Sequence, residues 1–192
     1  TSELVNRNRL EKGIEDSLAA IASLKSAVDE VAAVSEAFIR CLKGGRKILT
    51  AGNGGSAAEA LHMAEEFTGR FRSNRPSLPA VSLVADCTAL TCIANDFGYG
   101  AVFSRQIEGL GMKGDVLVLF STSGKSANIV RALEAGRAKG LVIVSFLGGD
   151  GGSIAGKSDH EIVVKGATEH IQEAHQVLIH LILDAVEEAY AG

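Results

Sequence analysis

Short runs that are apolar at nearly every position recur along this chain, and they limit its fold more than any other feature. KILTA at 47–51, AVSLVA at 80–85, DVLVLF at 115–120 and LVIVSF at 141–146 are four of them, and EIVV at 161–164 is a shorter fifth. Strands with one wet face alternate apolar and polar residues; strands apolar throughout are covered on both faces. The stretches between them, from Ser56 to Phe71 and from STSGKS to about Lys139, read as helices. Strands separated by helices connect through right-handed crossovers into a parallel sheet. GNGGS (52–56), STSGKS (121–126) and LGGDGGS (147–153) follow the first, third and fourth runs. Ligands bind at the carboxyl ends of strands in open α/β sheets, so these small polar loops belong to one edge of the sheet.

Both ends of the chain are amphipathic helices. Residues 3–44 form one or two, and 169–190 form another with Ile171, Ala174, Leu178, Leu181 and Ala185 at helical spacing. The expected organisation is a single domain over 1–192: a helical segment to 44, an α/β core over 45–168 and a C-terminal helix from 169. Pro76 and Pro79, in RSNRPSLPA, mark a loop. Charged residues are interspersed, the net charge is −4 and no basic block exists, which disfavours nucleic acid as a partner. Aromatics at 5% with no Trp leave no platform for stacked bases. Cys41, Cys87 and Cys92 are odd in number and lack CxxC spacing, as expected of reduced thiols in a reducing compartment. No apolar run approaches the roughly 20 residues that span a bilayer, and the polar N-terminus lacks a signal-peptide pattern. A cytoplasmic protein without membrane contact is expected.

STSGKSAN lies between a strand and a helix. Ser121, Thr122, Ser123 and Ser126 offer hydroxyl donors, Gly124 lets backbone N–H groups turn inward, and the helix end favours a phosphate. A nucleotide P-loop would need glycine five residues before Gly124, where Leu119 stands. The plain alternative is a serine N-cap without a ligand. In GNGGS, Asn53 can hydrogen-bond a sugar hydroxyl, and Gly54 and Gly55 allow close backbone approach; a tight turn explains the loop equally well. His62 and Glu66 are four apart, hence on one helix face about 6 Å apart along the axis. That spacing suits shared metal ligation, an acid/base pair or a solvated contact. His180 lies in an apolar stretch, as a ligand or a core histidine with a satisfied ring. NDFGYG (95–100) reads as a polar loop in which Asn95 and Asp96 reach a ligand or close a helix.

Together these motifs resemble the SIS (sugar isomerase) domain family and, within it, the phosphoheptose isomerases. AGNGGSAAEALHMAEEFTGRF, the NRP segment, NDFGYG, FSRQIE, GDVLVLFSTSGKSANI and IQEAHQVLIH carry the resemblance in order along nearly the whole chain. It implies a three-layer, Rossmann-like sandwich with a five-stranded parallel sheet and an N-terminal helical extension. It also implies a homotetramer with active sites between subunits and one Zn²⁺ per subunit held by His62, Glu66, Gln172 and His180. Asn53, Gly54, Gly55, Asn95, Asp96, Ser121, Thr122, Ser123 and Ser126 would bind substrate, with Glu66 and Gln172 touching it too. The implied reaction converts D-sedoheptulose 7-phosphate to D-glycero-D-manno-heptose 7-phosphate, the entry to nucleotide-activated heptoses. Glu59 and Glu169 stand where relatives more usually have Asp. Gln172 and His180 are about 12 Å apart along one ideal helix, so subunits would share the metal site or long side chains would converge; His175 is a rival ligand by spacing.

Aldose–ketose isomerisation needs a base at carbon and a group that manages protons and charge on oxygen. Glu66 is the expected base and His180 the acid/base partner, with His180 reaching a neighbour's His62 and Glu66 if subunits bundle through their terminal helices. The competing reading is a non-catalytic sugar-phosphate binder, such as a DnaA-associated replication regulator. Another sugar-phosphate isomerase, such as an arabinose-phosphate enzyme, is the nearer alternative.

Overall fold

A computed structural model describes residues 4–190. The apolar runs become strands β1 (Ile48–Gly52), β2 (Ala80–Ser82), β3 (Val116–Ser121), β4 (Val142–Gly148) and β5 (His160–Val164). They form one sheet in the order β2-β1-β3-β4-β5, every neighbouring pair parallel. The helices are α1 (Arg7–Ser23), α2 (Val28–Lys43), α3 (Gly55–Thr68), α4 (Cys87–Phe97), α5 (Ser104–Leu110), α6 (Ala127–Ala138) and α7 (Thr168–Glu188).

The lack of alternation has the expected cause: both faces of the sheet are covered. Ile48, Val116, Val118, Phe120, Val144, Phe146 and Ile162 point to one side, where they join Phe38, Met63, Phe67, Leu178 and Ile182 of α2, α3 and α7. Leu49, Leu117, Leu119, Ile143 and Leu147 point to the other and meet Phe103, Ile107, Ile129 and Leu133 around α5 and α6. Each fully buried Leu, Ile or Phe contributes about 1.5–3 kcal/mol relative to leaving it exposed, so both layers hold the sheet. This is the three-layer arrangement implied by the resemblance.

Two sequence expectations are corrected. The second run forms only three residues of strand, and β2, at one edge of the sheet, pairs with β1 alone. The chain then turns to Asp86, whose carboxylate accepts from the N–H groups of Thr88 and Ala89 and caps α4. NDFGYG is not wholly a loop: Asn95, Asp96 and Phe97 end α4, and Gly98 at φ 82° stops it. No residue of α4 is fully buried, so the helix lies on the surface of the domain. The N-terminal segment, expected as one or two helices, is two, joined by a short 3₁₀ turn at Leu24–Ala27. Along it Leu4, Leu10, Ile14 and Leu18 are exposed while Leu24 is buried, and α1 lies on α7.

From β1 the chain crosses one way to β2, and from β3 it crosses the other way toward β5. The loops after β1 and β3 therefore flank the point where strand order reverses, the usual ligand crevice of such sheets.

Candidate active site

At that crevice the two loops meet through a reciprocal amide pair. Asn53 donates to the Oδ1 of Asn128 (2.9 Å), and Asn128 donates back to the Oδ1 of Asn53 (2.8 Å). The hydroxyl of Tyr99 donates to the same Asn53 oxygen at 2.9 Å. Beside this pair lies a cavity of about 60 Å³ lined by Asn53, Ser56, Phe120, Ser121, Thr122, Ser123 and Ser126. Ser126 is the N-cap residue of α6, yet its side chain makes no capping bond, so the plain capping alternative loses its motive. Ser121 accepts from the N–H of Gly124 at 3.0 Å and keeps its own O–H to donate. Gly124 is required: at φ 60° it packs on the backbone of Gly151, where a Cβ would collide. STSG and GGDGG thus pack backbone on backbone, with Ser153 N–H donating to Gly124 O at 2.9 Å.

The first turn of α3 starts at Gly54–Gly55, and the helix leads from the crevice to a second polar group. Its His62 and Glu66 lie opposite His180 of α7. One ligand-type atom from each of the three lies within 4.8 Å of the others. His62 Nε2 is 3.2 Å from His180 Nε2 and 3.6 Å from Glu66 Oε1. Ligands about 2.0–2.1 Å from a tetrahedral ion sit roughly 3.3–3.4 Å apart, so the three side chains fit a shared metal. Phe71 stacks on the His180 ring (centroids 5.5 Å apart, 22° between planes), and His62 meets that ring edge-on. Glu66 is largely buried, whereas Glu65 is exposed and reaches only the Nδ1 of His62 at 3.8 Å.

His62, Glu66 and His180 converge within one chain, so His180 does not need a neighbour's His62 and Glu66. Gln172 stands apart from them. It lies against Gly55 at the start of α3, where a Cβ would run into its amide. It therefore borders the crevice, and the amide beside His180 is that of Gln176, at 3.3 Å. His175 is no rival ligand: its ring is 0% exposed, sits beside Phe120 and Phe146, and has its Nε2 3.1 Å from the carbonyl of Leu147. It is the core histidine of this helix. Glu59 turns under α3 toward it, with a closest approach of 3.7 Å and no hydrogen bond to either carboxylate oxygen. Glu169 faces solvent in the first turn of α7. Asn95 and Asp96 are exposed and bond each other at 2.8 Å; Tyr99, just beyond them, makes the contact to Asn53. Asn128, Tyr99, Ser56, Phe71 and Gln176 were not singled out from the sequence. Asn128 had a signal, two residues beyond the cap serine, whereas the others depend on which helix faces which.

The sheet order, the crevice loops and the polar cluster define an open α/β protein with a hydroxyl-lined crevice at its switch point. The SIS domain family profile matches residues 13–148. The phosphoheptose isomerase of Yersinia pestis (strain Pestoides F) is 45% identical over 175 residues, 90% of each chain. The structure of phosphoheptose isomerase from Neisseria gonorrhoeae superposes with a TM-score of 0.87 at 38% identity, covering 95% of this chain and 98% of that one. That of a phosphoheptose isomerase from Francisella tularensis gives 0.92 at 29% identity, covering 96% and 100%. The chain belongs to the phosphoheptose isomerase family of SIS-domain proteins.

Proposed function

We propose that this protein isomerises D-sedoheptulose 7-phosphate to D-glycero-D-manno-heptose 7-phosphate, the first step toward nucleotide-activated heptose in the bacterial cytoplasm. The observation that carries this reading is the convergence of His62, Glu66 and His180 on helices that start beside the hydroxyl-lined crevice. A non-catalytic sensor needs the crevice but not the cluster. The phosphate docks on Ser121, Thr122, Ser123 and Ser126, and Asn53, Gly54, Gly55 and Gln172 border the sugar. Asn95 and Asp96 belong to this binding set through the family resemblance. Glu66 takes the proton from one carbon of the C1–C2 pair and returns it to the other through an enediol. His180 moves the proton between the two oxygens. His62, Glu66 and His180 would hold a zinc ion, while Gln172, set apart at the crevice, keeps only its part in binding the sugar. When bound, the zinc polarises the substrate oxygens and stabilises negative charge on them. The test is an NMR assay of sedoheptulose 7-phosphate: appearance of the aldose signals supports the reading, and unchanged ketose overturns it.

Removing the Ser121 and Ser126 hydroxyls together takes away two proposed phosphate donors. A hydrogen bond to a charged group is worth about 1.5–3 kcal/mol, so KM is expected to rise tenfold or more in the double alanine variant. Steady-state kinetics check this, and an unchanged KM would place the phosphate elsewhere.

The active unit is proposed to be a homotetramer with its sites bordered by neighbouring subunits. The exposed Leu10, Ile14 and Leu18 of α1 supply apolar surface for such packing. Because Glu66 and His180 meet within one chain, mixed tetramers of Glu66→Gln and His180→Ala subunits should stay inactive, each site keeping one lesion. Light scattering reports the assembly, and recovered turnover in the mixture would show that these two residues pair across subunits.

A further inference from the structure

The segment after α3 is gathered onto a single carboxylate. Glu187, near the end of α7, accepts from the N–H groups of Phe71 (3.2 Å), Arg72 (3.0 Å) and Ser73 (2.8 Å). It also accepts from the Ser73 hydroxyl (3.1 Å) and the Nε of Arg75 (3.1 Å). Both charged side chains are buried, with 1% of Arg75 and 6% of Glu187 exposed. A buried carboxylate with five donors is saturated, and a buried ion pair broken on one side is costly.

What the two residues hold is specific. Helices leave their last four carbonyls without partners, and Arg75 supplies donors to two of those of α3. Its guanidinium donates to Glu66 O (2.7 Å) and Phe67 O (3.0 Å). The turn fixed in this way is the one that carries the Glu66 side chain. At the other end of the segment, Phe71, tethered through its N–H, stacks on His180. Glu187 lies seven residues beyond His180, two turns along the same face of α7.

We propose that Glu187 and Arg75 are positioning residues for the site: the carboxylate gathers residues 71–75 so that Arg75 sets the Glu66 turn and Phe71 sets the His180 ring. The inference rests on the functional reading above for its kinetic part alone.

Glu187→Gln keeps the shape of the side chain but gives an amide N–H where donors point, and Arg75→Lys removes the fork. Both are to be studied as full-length protein well below their melting temperatures. Misplacement of about 1 Å can cost on the order of 100-fold in rate, so kcat is expected to fall tenfold or more with KM changed less than about twofold. Affinity for added zinc should fall about 10–100-fold, the usual effect of losing a group that orients ligands. In a Glu66→Gln background the Glu187→Gln change should cost less further rate than in the wild type, because the part of its effect that passes through Arg75 and Glu66 is already lost while the part through Phe71 and His180 remains. Phe71→Leu, which leaves the carboxylate and its donors in place, should shift the His180 ring resonances of metal-free protein and spare those of His160. Unchanged kcat, zinc affinity and His180 resonances would overturn the proposal, whatever happens to the melting temperature, as would fully additive losses with Glu66→Gln. If the wild type fails to turn over the sugar phosphate, the functional reading falls, while zinc titration and the resonances still decide the positioning role.

Discussion

Glu66→Gln is expected to slow isomerisation at least about 100-fold, on the usual scale of general-base catalysis. The substitution keeps volume and hydrogen-bonding reach and removes the basic oxygen. Glu66 is held in the last turns of α3, largely buried, with one carboxylate oxygen 3.6 Å from His62 and its backbone carbonyl tied to Arg75. A residue so restrained has little freedom to compensate by moving, and the amide cannot take a carbon-bound proton. KM should change much less than kcat, because phosphate binding depends on the loops after β1 and β3, at the opposite end of α3. Glu65→Gln is the control: Glu65 is exposed and contacts only the far nitrogen of His62, so its loss should be mild. Steady-state rates of both variants check the assignment, and near-normal turnover by Glu66→Gln would remove it from the role of base.

The second large effect concerns metal. Purified protein is expected to carry zinc, chelation to reduce activity, and His62→Ala to lose the ion while remaining folded. His62 faces the cluster from a half-buried position on α3, and truncating it leaves the core residues Met63 and Phe67 in place. Two imidazole nitrogens 3.2 Å apart need a shared proton or a shared cation between them. A cation satisfies both together with Glu66, whose carboxylate otherwise faces His62 without a short hydrogen bond. Elemental analysis and circular dichroism of the variant separate ion loss from unfolding. Metal-free wild type with full activity would refute the zinc assignment.

The strands, the parallel sheet and the three loops at its carboxyl edge were legible because each depends on local pattern. Val116 to Phe120 is apolar throughout since both its faces are covered, and STSG needs Gly124 because two backbones touch there. The His62/Glu66 pair was legible for the same reason, four residues being one helical turn. What tertiary structure decided was partnership between distant segments. The sequence allowed either His175 or His180 to be the functional histidine of α7. They lie five residues apart and so point to different sides of the helix; the packing of α7 on the sheet buries His175 against Phe120 and Phe146 and turns His180 toward α3. The same packing puts Gln172 at the crevice and Gln176 beside His180, a division that spacing along one helix does not reveal. Helix periodicity, written in the chain, says which residues share a face; which element that face meets follows from the layers that close over the sheet.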